Sequence, residues 1–330
     1  MKNYFKYLGI IILLLSLSSS LKAQMEISGF FDAVGALHFP NTKETGFLIN
    51  QFEVDLSYLH KSRFSVGSAV AYNNETENME LAMAFIHYSF DDGPAKHPRR
   101  LETYDHSAIM VGKFDMPFGL DYLSYASVDR PTYTQPLVIE KTIAGWNDIG
   151  IDYHLFAGNF KFDVWTVNGF RDGVGIGGNI RYKVFPFLEI GTSHSVDVNN
   201  FQKLNDWLSG IDLMINTNIL QVKSEFMWME GVYEGIPDSV LNNNMHYGGY
   251  LQVLTEFNEW LTVPLFLTLR FGGWRCSGKM NEIDETEYRY TATLGYGLHE
   301  NLSLRLEASV NTYNHAEAET LGILQIIVSF

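Results

Sequence analysis

The constraint that narrows this chain most is a period of two. Leu302, Leu304, Leu306, Ala308 and Val310 alternate with Ser303, Arg305, Glu307, Ser309 and Asn311. Successive side chains of a β-strand point to opposite faces, so this stretch has one apolar face and one polar face. Phe52, Val54, Leu56 and Tyr58 do the same against Gln51, Glu53, Asp55 and Ser57, and Val222, Phe226 and Trp228 against Lys223 and Glu225. The pattern predicts about 16 strands, roughly at 25–37, 46–59, 62–73, 79–90, 105–116, 146–156, 159–169, 174–185, 187–196, 206–216, 219–230, 246–257, 260–273, 286–298, 301–312 and 319–330. Alternation alone fits two folds. In a soluble sandwich the apolar face lies inward; in a membrane barrel it faces lipid and the polar face lines a wet lumen.

Three features favour the barrel. Connections mostly alternate short (Lys61-Ser62, Ala157-Gly158, Pro186, Asn258-Glu259, His299-Glu300) with long (117–145, 231–245, 274–285), as in bacterial barrels with short periplasmic turns and long outer loops. The segment 91–104 departs from this, being long where a short turn is expected. The chain ends Leu324, Ile326, Val328, Phe330, alternating to a terminal aromatic, which resembles the signal read by the outer-membrane barrel assembly machinery. Trp146, Trp207, Trp228 and Trp274 fall near the expected outer strand ends and Trp260 near a periplasmic end, as aromatic girdles require.

Residues 1–23 read as a secretory signal peptide. Lys2 and Lys6 precede the apolar run Leu8–Leu15, and Ala23 offers the cleavage point, leaving 24–330 as one outer-membrane β-barrel domain. The run is shorter than the roughly 20 residues a membrane-spanning helix needs. Hydrophobic residues make up 46% and charged residues 18%, a composition unlike a helical membrane protein. The net charge of −15 repels phosphates and argues against nucleic acid. The single cysteine, Cys276, excludes an internal disulfide and reads as a small loop residue.

The segment Gly112-Lys113-Phe114-Asp115-Met116-Pro117-Phe118-Gly119-Leu120 resembles the strand-to-loop junction of the phosphate-selective porin O and P family, and Gly29-Phe30-Phe31-Asp32 and Phe330 fit the same group. The resemblance implies an all-β, transmembrane antiparallel barrel of 16 strands, often trimeric, with a long third loop folded into the pore. The longest connection read from the sequence, 117–145, follows the fifth strand and agrees with that layout. The phosphate preference does not carry over. A phosphate filter needs a ladder of Lys and Arg, whereas this loop mixes Asp121, Asp129 and Glu140 with Arg130 and Lys141.

Those five loop residues are the expected constriction. Alternation directs Arg181, Lys183, Lys223, Arg270, Arg289 and Arg305 into the lumen, with Glu53, Asp55, Asp152, Asp163, Asp212, Glu225 and Glu307. Arg270 and Arg289 lie on consecutive strands at similar height, and form an expected basic wall facing the acidic loop across the pore. Gly173-Val174-Gly175-Ile176-Gly177-Gly178 matches a dinucleotide fingerprint, but strand-like residues follow where a helix is required, so the glycines read as a tight outer turn. The histidines form no H-E-x-x-H; His97 and His106 flank Arg99 and Arg100 in a loop. The expectation is a passive channel for small hydrophilic solutes or ions in the outer-membrane lipid, leaning toward cations or neutral solutes, with no cofactor and no enzymatic cycle. The alternatives are a plugged structural or adhesive barrel and, behind it, a hydrolase with His246 or His315 at the rim.

Overall fold

A computed structural model of the chain describes residues 24–39, 45–60, 63–74, 77–91, 106–124, 126–143, 145–169, 173–199, 203–230, 244–258, 263–278 and 284–330. The expected signal peptide, Trp260, His97 and the segment 231–243 lie outside them. The described residues form sixteen strands. The first eight are β1 (Gln24–Phe39), β2 (Gly46–His60), β3 (Phe64–Asn73), β4 (Asn78–Ser89), β5 (His106–Asp115), β6 (Asn147–Ala157), β7 (Phe160–Val167) and β8 (Val174–Phe185). There follow β9 (Leu188–Asn199), β10 (Lys203–Asn216), β11 (Leu220–Glu230), β12 (Asn244–Glu256), β13 (Leu265–Gly278), β14 (Asp284–His299), β15 (Leu302–Tyr313) and β16 (Glu319–Ser329). Each pairs antiparallel with its sequence neighbours, and β1 pairs with β16 to close the ring. The terminal phenylalanine is part of that seam: Gly29 N donates to Phe330 O, and Phe330 N donates to Gly29 O, both at 3.0 Å.

Closure decides which face is which. Leu306 is 56% exposed and Arg305 beside it 6%; Tyr290 is 53% exposed and Arg289 6%. Apolar side chains stand outside and charged ones inside, the reverse of a soluble sandwich. Ring closure leaves no strand with an open edge, which is what hydrocarbon demands. The protein is a closed barrel with the apolar outer face of a membrane-spanning one.

Three sequence-based placements need correction. Strand β13 begins five residues later than expected, at Leu265, because Pro264 has no N–H to donate to a ladder. Its carbonyl instead accepts from Gly297 N at 2.8 Å. The later start carries Cys276 and Trp274 into the strand rather than a loop. Both are buried on the lumen side, with Leu137 against them, so Trp274 is no girdle residue. Trp146 is also internal, packed near Phe118 with ring centroids 6.4 Å apart, whereas Trp207 and Trp228 remain half-buried on the β10–β11 pair. Of the glycines expected in an outer turn, Gly175, Gly177 and Gly178 lie inside β8 instead, where Gly177 makes room for the indole of Trp165: a Cβ there would stand 2.5 Å from Trp165 Cζ2.

Candidate functional site

Between β5 and β6 the chain leaves the wall and enters the lumen. It forms a 3-10 turn at Asp121–Ser124 and a short helix, α1, at Leu137–Thr142. The Met116-Pro117-Phe118-Gly119-Leu120 sequence explains the entry. Met116, Phe118 and Leu120 are fully buried. Met116 and Phe118 join Val138, Ile139, Trp165, Leu208, Met227 and Tyr250 in a lumenal apolar core. Gly119 adopts φ +66°, and a Cβ there would meet Glu225 Oε1 at 1.7 Å, so glycine is required where the turn presses on the wall. Its N–H donates to Ser193 Oγ at 2.9 Å and its carbonyl accepts from Arg181 Nη2 at 2.9 Å.

Farther along, the loop reaches the opposite wall. Glu307 on β15 accepts from the backbone N–H of Tyr133 (2.6 Å) and of Thr134 (3.0 Å), and from the hydroxyls of Thr134 (2.7 Å) and Thr293 (2.8 Å). Arg270 donates to Thr132 Oγ1 at 2.9 Å and to Thr134 O at 2.9 Å. Arg289 pairs with Glu140 at 2.5 Å and donates to Gln135 O. Arg305 donates to the carbonyls of Ser127 (2.8 Å) and Val128 (3.2 Å). Hydrogen bonds to charged groups in a water-poor setting are the stronger ones, so these arginines act as clamps on the loop backbone.

The five expected constriction residues divide accordingly. Asp121 and Arg130 are buried inside the lumen, Asp129 is exposed, and Glu140 and Lys141 stand on α1. Lys141 pairs with Glu287 at 3.1 Å and lies 5.3 Å from the centre of the Trp274 ring. Arg130 Nε has no hydrogen-bond partner among the described residues. Burial lifts the Asp121 carboxyl above its ordinary range, against the partial pull of Lys223, Arg130 and Arg270. Burial acts the same way on Glu140, but the charge and hydrogen bond of Arg289, with the charges of Lys141 and Arg270, together hold that carboxyl below its ordinary range.

Arg181, Arg270, Arg289 and Arg305 are buried inside the barrel. Lys183 sits exposed at the end of β8, paired in register with Glu189, and Lys223 is half-buried on β11. Arg270 and Arg289 lie close in height, Gly272 being opposite Arg289. They do not face the loop across open space, however; the loop rests on them. Of the expected lumenal acids, Glu53, Asp152, Asp163, Asp212, Glu225 and Glu307 are buried inside and Asp55 is half-buried. Asp212 and Arg181 form a buried ion pair, Nη1 to Oδ1, at 2.9 Å. Sequence reasoning missed Ser193 and Thr132–Gln135 as docking points. Backbone carbonyls and hydroxyls of a loop carry no periodic signal that would mark them.

No family model matches the chain, and no curated protein sequence matches it. Solved structures do. An anion-selective porin from Comamonas acidovorans superposes with a TM-score of 0.67 at 11% identity over 94% of this chain and all of that one (100%). An in-vitro folded trimer form of OmpT, an outer-membrane protein of Vibrio cholerae, gives 0.65 at 9% identity over 93% of this chain and 99% of that one. Salmonella typhi OmpF, solved with daunomycin, gives 0.63 at 11% identity over 93% and 97%. The fold is that of the bacterial outer-membrane porins. Identities this low establish the barrel and leave solute, selectivity and assembly to be argued from this chain's own residues.

Proposed function

We propose that the chain is a channel of the cell outer membrane, through which small hydrophilic solutes or ions diffuse passively. The observation that carries the reading is the inward-folded loop, held against a polar lumen wall by Arg270, Arg289, Arg305 and Glu307. A channel selects by width and charge at its narrowest part. In this reading Asp121, Asp129, Arg130, Glu140 and Lys141 form the constriction. Arg181, Lys183, Lys223, Arg270, Arg289 and Arg305 line the path or shape it. Residues 1–23 would direct export and be removed, and the C-terminal strand ending in Phe330 would be presented to the barrel assembly machinery. The trimer form of the Vibrio cholerae relative supports a homotrimer here. The reading needs neither cofactor nor catalytic cycle, and it does not extend the phosphate preference of the O and P porins to this chain.

Planar-bilayer recording on purified, refolded protein tests it. Stepwise conductance whose ion selectivity moves on Asp121→Asn or Arg130→Gln supports a pore constricted by the loop. A second reading, a plugged barrel, is favoured by how dry the loop contact is: Met116, Phe118 and Val138, with Asp32 and Gln325 of the wall, are wholly buried. Under that reading bilayers containing folded protein stay silent until the loop is released.

A further inference from the structure

Toward the end of the barrel that carries both termini, the lumen wall bears a cluster that neither the loop nor the channel reading uses. His154 on β6 stands directly across from Asp163 on β7, with Asp152 two residues away on its own strand and the same face. One potential ligand atom from each of the three lies within 4.8 Å of the others, and all three side chains are buried. Among the described residues Asp163 Oδ2 and Asp152 Oδ1 have no hydrogen-bond partner, although their residues are only 4% and 2% exposed. Two carboxylates so close and so dry need a compensating positive charge. Lys161, which acts on both, turns its ammonium to the Tyr122 hydroxyl at 2.5 Å and over the Tyr122 and Phe156 rings.

We propose that Asp152, His154 Nδ1 and Asp163 bind one divalent transition cation on the lumen wall. Ligand atoms held at about 2.0–2.1 Å on a tetrahedral ion stand about 3.4 Å apart. His154 Nδ1 and Asp152 Oδ2 are already 3.3 Å apart, long for a charged hydrogen bond and suited to a shared ion. The other face of the ring is oriented as a metal-bound histidine requires: its Nε2 lies 3.3 Å from Nε2 of His87 on β4, with the two rings 16° from parallel. Ala108 on β5, opposite His154, is small enough for the imidazole to reach across to β4. One imidazole with two carboxylates suits Zn²⁺, Co²⁺ or Mn²⁺, and the fourth position would be left to water or a passing solute. His87 is a positioning residue, setting the tautomer in which Nδ1 offers its lone pair to the ion.

The test is Zn²⁺ titration by calorimetry on the untagged, refolded barrel after chelator treatment, with zinc-edge absorption spectroscopy on the loaded wild type. One equivalent should bind saturably, with a single imidazole and otherwise oxygen neighbours. Asp163→Asn and His154→Gln should each weaken binding by more than about tenfold, His87→Gln by about 10–100-fold, and His246→Gln should change nothing. Heat-modifiable mobility in SDS certifies that each variant is folded. Where one is not, the wild-type spectrum decides alone. Absence of saturable binding in folded wild type, or a spectrum with sulfur or several imidazoles, overturns the assignment. The outcome is independent of conductance, so a silent bilayer does not bear on it.

Discussion

Individual carboxylates in the lumen take their behaviour from the balance between burial and the cations beside them. Asp121 is held above the ordinary carboxylate range by burial, and Glu140 below it by Arg289 with Lys141 and Arg270. The signs therefore differ. The charge on Asp121 costs the folded state at neutral pH, and that cost is relieved as pH falls through its raised value. The charge on Glu140 stabilises loop docking above about pH 4.3, the unperturbed glutamate value, and that stability is lost as pH falls through its lower folded value. On acidification Asp121 neutralises first. Reversal-potential titrations should show cation preference falling in a step above the ordinary carboxylate range, a step missing from Asp121→Asn. Glu307→Gln removes the charge that gathers four hydrogen bonds and should cost about 1.5–3 kcal/mol for each charged bond lost. Limited chymotrypsin digestion should then cut after Tyr133 faster than in wild type, and an unchanged rate would refute the anchoring role.

At the scale of elements, two glycines decide how strands meet. Gly112 in β5 sits at φ +134°, and a Cβ there would come within 2.2 Å of the Ala84 carbonyl oxygen on β4. Gly112→Ala should therefore destabilise the β4–β5 pairing by more than about 1 kcal/mol, read as a lower urea midpoint for the SDS-resistant form. Gly177→Val would drive a side chain into the Trp165 indole that fills the lumenal core. It should lower the same midpoint and shift tryptophan fluorescence, while Gly145→Ala, with open space around its Cβ, should be limited to the strain of its φ of +77°. The loop is an element of the same kind. Its apolar half packs against β7, β10, β11 and β12, its polar half is clamped by β13, β14 and β15, and together they hold it across the lumen.

For the whole molecule the governing fact is that the apolar surface is outside. Leu269, near the middle of β13 and 50% exposed, meets lipid. Leu269→Arg should cost about 2–4 kcal/mol in liposome-based unfolding if it lies at the bilayer midplane. Lys183→Gln, at an exposed strand end inside the barrel, should stay within about 0.5 kcal/mol. Equal effects of the two would mean that the outer face is not in hydrocarbon.

Alternation by itself determined the strand count, the antiparallel order and which residues share a face. Leu302–Asn311 could belong only to a strand with one greasy and one wet side, and the terminal Leu324–Phe330 run marked the closing strand. These are local properties, fixed by the side-chain period of two. Which side was wet, and what filled the lumen, only the tertiary structure decided. The hydrogen bonds that join β1 to β16 turn Arg305 inward and Leu306 outward. The contacts that pull Thr134 onto Glu307 and bring His154 toward Asp152, Asp163 and His87 join residues from separate strands. Such convergence depends on ring closure and strand stagger, which no single stretch of sequence encodes.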